Sequence, residues 1–129
     1  MSAKNKSAKS PRLNKFIWNE LVAKNETVAK NFYSGLFGWK AEPFGKGMPY
    51  TLFKQGKDGV GGMMKCPSPD NASGWLPYVT VADVDKTVIK AKKLGAKIAV
   101  EAFDVKTVGR IAVLVDPQGA AIGIITTMM

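Results

Sequence analysis

Residues 16–22, Phe-Ile-Trp-Asn-Glu-Leu-Val, are rich in strand-forming aromatic and β-branched side chains, which predicts a strand. Asn25 then stands where a helix N-cap is needed, and Val28, Phe32 and Leu36 follow at i, i+4 and i+8 with Ala29 and Tyr33 beside them. That spacing predicts one apolar stripe on a helix, with the bulk of Phe32-Tyr33 and Leu36-Phe37 buried against a sheet. Gly38 can take the left-handed conformation that ends the helix. Strands are predicted over 39–44, 50–55 and 60–64, separated by turns at Gly45-Lys46-Gly47 and Gly56-Lys57-Asp58-Gly59.

Residues 66–74, Cys-Pro-Ser-Pro-Asp-Asn-Ala-Ser-Gly, are a cluster of structure breakers, and the same order of signals begins again after them. Residues 75–82 predict a strand, Asp83 an N-cap, Val84, Val88 and Ala91 a helical stripe, and Gly95 its end. Three more strands are predicted at 96–101, 111–115 and 121–126, with Asp116-Pro117-Gln118-Gly119 as a tight turn. The expected fold is therefore α+β: two tandem βαβββ modules, about 13–66 and 74–127, forming a curved, partly open mixed sheet around a central cavity with helices outside. Each half alone would expose a sheet face that a second copy can cover.

Composition changes this picture at the N-terminus. Residues 1–12 carry Lys4, Lys6, Lys9 and Arg12, no acid and no large apolar side chain, so a disordered basic arm is expected there. The arm accounts for four of the nine net positive charges, and the domain over 13–127 is left with a modest excess of five. Lys86, Lys90, Lys92, Lys93 and Lys97 gather around the second helix, where they read as its solvated face, so nucleic acid is not the expected partner. No apolar run reaches the roughly 20 residues of a membrane span, no secretory signal is visible, and one cysteine, Cys66, makes no internal disulfide. A cytoplasmic location is the expectation.

Three words of the sequence carry a resemblance: Trp18-Asn19-Glu20-Leu21, Asn31 through Trp39 (Asn-Phe-Tyr-Ser-Gly-Leu-Phe-Gly-Trp), and Val115-Asp116-Pro117-Gln118-Gly119-Ala120. Together they resemble the vicinal oxygen chelate superfamily (glyoxalase, bleomycin resistance, extradiol dioxygenase), and within it the glyoxalase-like or bleomycin-resistance-like branch. The resemblance covers about residues 13–127. It implies a divalent cation held by inward side chains from the first and last strands of each half, at positions near 18–20, 62–63, Leu76 and 122–123. The sequence has no histidine, and only Asn19 or Glu20 offers a donor at those positions. Since a catalytic divalent site needs about three protein ligands, no metal and no other cofactor is expected.

Without histidine there is no Ser-His-Asp triad, Cys66 has no histidine to activate it, and Gly59, Gly61 and Gly62 lack the Gly-Lys-Ser/Thr of a phosphate loop. Strand alternation nominates a binding surface instead. Trp18, Glu20 and Val22 share one face of the first strand while Ile17 and Leu21 point to the helix, and Leu76, Tyr78 and Thr80 are the matching positions of the second half. An inward Glu20 needs a hydrogen-bond donor, for which Tyr78 is the candidate. The expected ligand-binding set is Trp18, Asn19, Glu20, Tyr50, Phe53, Met63, Leu76 and Tyr78. It suits a metal-free protein of bleomycin-resistance type, a homodimer that encloses a small aromatic or cationic molecule. The alternatives are a glyoxalase-type lyase, isomerase or dioxygenase acting on a small oxygenated substrate with Glu20 as base, or a module binding a macromolecule through the basic arm.

Overall fold

The computed structural model describes residues 13–45, 49–66, 73–106 and 108–127; the basic arm, the turn at 46–48 and most of the breaker segment lie outside the described residues. Eight strands and two helices occur among the described residues. The chain divides into two compact units, Trp18–Leu76 and a second made of the N-terminal residues to Ile17 with Pro77 onward.

The first unit takes its strands from β1 (Phe16–Ala23), β2 (Lys40–Pro43), β3 (Thr51–Gln55) and β4 (Asp58–Lys65), with helix α1 (Glu26–Phe37) between β1 and β2. Its strand order is β2-β3-β4-β1, antiparallel except for the parallel β1–β4 pair. Asn25 caps α1 as the sequence predicts, its carboxamide oxygen accepting from the Val28 N–H at 3.0 Å. Gly38 closes the helix at φ 76°, a left-handed conformation that a β-carbon would strain, and its N–H bonds the Ser34 carbonyl. The hairpin after β3 is tighter than predicted: Gln55 already pairs with Asp58, so the turn is Gly56-Lys57, and Asp58 and Gly59 belong to β4.

Leu21, Ala23, Phe53 and Met63 form the buried core of this unit, with Ala29, Tyr33, Trp39, Ala41 and Val60 against it. Here the structure corrects the predicted helix face. Ala29 and Tyr33 turn to the core, whereas Val28, Phe32 and Leu36 are 62%, 56% and 58% exposed and no residue of α1 is buried. Tyr33 rather than Phe32 is the anchor. Its ring contacts those of Phe32, Phe37, Trp39, Phe53 and Trp75, and its hydroxyl accepts from Trp75 Nε1 at 3.2 Å.

The second unit takes up β5 (Gly74–Thr80) from Pro77 and adds β6 (Lys97–Val105), β7 (Gly109–Val115) and β8 (Ala121–Thr127) in the order β6-β7-β8-β5, with β5 parallel to β8 and helix α2 (Val84–Lys93) between β5 and β6. The core gathers Val81, Val84, Val88, Ala112, Leu114 and Ile124. Asp83 caps α2 by accepting from the Lys86 N–H, and the Asp116 carboxylate holds the β7–β8 turn by accepting from the N–H groups of Gln118 and Ala120. Arg110 on β7 pairs with Asp85 of α2 at 2.8 Å and with Asp104 of β6 at 3.1 Å. Strand β6 outruns its prediction by four residues, because register shifts around Val100 break the alternation that would have marked it.

Candidate functional site

Strand alternation in the first unit puts Leu21 and Met63, paired across β1 and β4, on the helix side, so the neighbouring pair Glu20–Gly62 lies on the opposite face. Glu20 is 6% exposed, a carboxylate taken out of water. Such a group stays ionised only with donors and favourable charge around it. Tyr50, just before β3, supplies one: its phenol hydrogen-bonds Glu20, and the phenol oxygen in turn accepts from Trp18 Nε1 at 3.0 Å. Indole, phenol and carboxylate thus form one chain of donors leading to the carboxylate.

Gly62 is what makes room for this arrangement. A β-carbon at that position would overlap the Tyr50 ring and hydroxyl, so the phenol occupies the space that any side chain on β4 would need. Burial, and next the Glu20 charge, push the Tyr50 phenol well above its ordinary value of 10, partly offset by the Trp18 hydrogen bond. Tyr50 is accordingly a neutral donor throughout the physiological range.

The second unit repeats one half of this device. Tyr78 on β5 pairs in register with Gly123 on β8, and a β-carbon on Gly123 would overlap the Tyr78 ring. Tyr78 and Thr80 are both buried.

Of the expected binding residues, the structure joins Trp18, Glu20 and Tyr50 directly. Leu76 is buried in the first unit and Tyr78 in the second. Phe53 and Met63 are both 0% exposed and belong to the core beneath α1. Asn19 is exposed and alternates with Glu20, which removes it from the Glu20 face. The hydrogen-bonding role of Tyr50 was not legible in the sequence, which marked it only as an aromatic wall. The available signal was the glycine at 62, whose empty face implies a close neighbour.

The superfamily's metal can be tested against these residues. Register places Glu20 with Gly62 and Tyr78 with Gly123 on the first and last strands of the two units. The pairs offer one carboxylate, one phenol and two positions without a side chain, and no cluster of three or more His, Cys, Asp or Glu side chains occurs among the described residues. The donor set does not fit a divalent cation site.

The chain belongs to the Glyoxalase/Bleomycin resistance protein/Dioxygenase superfamily, whose model matches residues 17–124. It is 37% identical over 111 residues to "Putative glyoxylase CFP32" of Mycobacterium tuberculosis, an alignment covering 84% of this chain and 42% of that protein. It is 27% identical over 125 residues to "Anthracycline biosynthesis protein DnrV" of Streptomyces peucetius, covering 83% and 45% respectively. The chain therefore spans less than half the length of these curated relatives. Among solved structures, methylmalonyl-CoA epimerase from M. tuberculosis superposes with a TM-score of 0.62 at 13% identity, covering 92% of this chain and 91% of the epimerase. An extradiol ring-cleaving dioxygenase from B. fuscum gives 0.63 at 17% identity, covering 91% of this chain and 33% of the dioxygenase. These likenesses establish the fold.

Proposed function

We propose that the protein is a metal-free member of the superfamily that binds a small aromatic, cationic molecule, and that it does so as a homodimer. The observation that carries this reading is the buried Glu20 carboxylate with Tyr50 donating to it and Trp18 donating to Tyr50. A carboxylate in low-dielectric surroundings attracts a cation more strongly than a surface acid does. The indole and phenol beside it offer faces for a flat ring.

The test is calorimetric titration with 1-methylquinolinium and its neutral isostere 1-methylnaphthalene. The cation binds the wild type, Glu20→Gln weakens it about tenfold or more, equivalent to about 1.4 kcal/mol, and the neutral probe changes little. Equal affinity of wild type and Glu20→Gln for the cation overturns the reading.

A further inference from the structure

Helix α1 leaves its apolar stripe in solvent: Val28, Phe32 and Leu36 are each more than half exposed, on a line of about 12 Å along the helix. On the same face, three residues after Phe32, stands Gly35, with open space where its β-carbon would lie. Glycine inside a helix costs about 1 kcal/mol against alanine, and among the described residues nothing lies within 4 Å of the notch it leaves. A large ring and a notch one turn apart on one face are complementary to each other, not to themselves. A two-fold axis brings each opposite the other, since in an isologous contact residue i of one copy meets j of the second while j meets i.

We propose that this face of α1 binds a second copy of the chain, the Phe32 ring of each copy seated in the Gly35 notch of the other. This rests on the reading of the protein as a homodimer and names its surface. Charge selects α1 over α2, the other helix with exposed apolar residues. Only Glu26 and Lys30 are charged on α1, whereas Ile89 of α2 is set among Lys86, Lys90, Lys92 and Lys93, which self-association would bring face to face.

Sedimentation equilibrium over about a hundredfold range of concentration tests the surface. The full chain dimerises; Phe32→Glu raises the dimer dissociation constant about thirtyfold or more, and Ile89→Glu leaves it unchanged. Gly35→Leu fills the notch and weakens the dimer likewise, while its monomer melts no lower than wild type because leucine favours the helix. That variant separates loss of contact from loss of folding. A wild-type dimer that survives both Phe32→Glu and Gly35→Leu overturns the surface and leaves the homodimer standing. A wild type that stays monomeric across the range overturns both.

Discussion

The Tyr50 phenol lies over the α-carbon of Gly62, in the space a side chain at position 62 would fill. That one juxtaposition places a hydroxyl beside Glu20 and removes a donor position from β4.

Gly62→Ala should therefore destabilise the protein by about 1–3 kcal/mol, the usual range for overpacking a filled site. Because its neighbour is the ring itself, Tyr50→Ala combined with Gly62→Ala should cost less than the sum of the two single changes. Urea denaturation of the four proteins measures the coupling. Strict additivity would show that the two residues do not share this space.

Tyr50 also sets an alkaline limb. Its folded-state pKa is raised, chiefly by burial and then by the Glu20 charge, while in the unfolded chain the phenol ionises near 10. Above that value the unfolded chain holds fewer protons than the folded one, so the stability gained from keeping the phenol neutral is fully present below pH 10 and is lost as pH rises beyond it. Tyr50→Phe should flatten the difference between wild type and variant above pH 10. It should also cost about 1–3 kcal/mol at neutral pH through the lost hydrogen bonds. Parallel alkaline limbs in the two proteins would count against this account.

Arg110 gives the second unit an acid limb. Its hydrogen bond holds the Asp85 carboxyl below the ordinary carboxylate range. For a lowered pKa the contribution is present above the ordinary value of 3.8 and is lost as pH falls below it. Both side chains are solvent-accessible, at 36% and 58%, so the effect is small and screened by salt. Arg110→Gln should lower the melting temperature slightly at neutral pH and low salt, and the gap should close in acid or in about 1 M salt. A gap independent of both conditions would assign Arg110 a packing role instead.

Periodicity revealed the elements because caps and breakers bound them: Asn25, Gly38, Asp83 and the Asp116 turn stand where their chemistry predicts. It failed on which side of α1 faces inward. Phe32 and Tyr33 are adjacent and both aromatic, so hydrophobicity alone cannot rank them. The choice falls to Tyr33 because its hydroxyl finds Trp75 while its ring still stacks on Trp39. The core positions of Phe53 and Met63 are hard to read for a related reason, since strands with apolar residues on both faces lack the alternation that separates core from binding surface. Glu20 was legible from alternation along β1. Its partnership with Tyr50 joins residues thirty positions apart through a glycine, and no local pattern encodes that.

Metal addition is the sharpest chemical test of the site. In the superfamily a divalent cation is held by side chains on the first and last strands, and here those strands present Glu20 opposite Gly62 and Tyr78 opposite Gly123. Restoring a ligand at 62 would first require displacing Tyr50, and at 123 displacing the Tyr78 ring. A neutral phenol is a poor ligand, and ionising Tyr50 is opposed by its burial and by Glu20. A cation that bound only the folded protein would add about 2.7 kcal/mol at a hundredfold excess over its dissociation constant, a shift that melting curves resolve easily. Zinc, nickel, manganese and iron(II) should each leave the melting temperature unchanged, and protein purified without chelators should carry far less than one metal per chain. Elemental analysis finding about one divalent ion per chain, together with a melting temperature that falls on chelation, would overturn the metal-free reading.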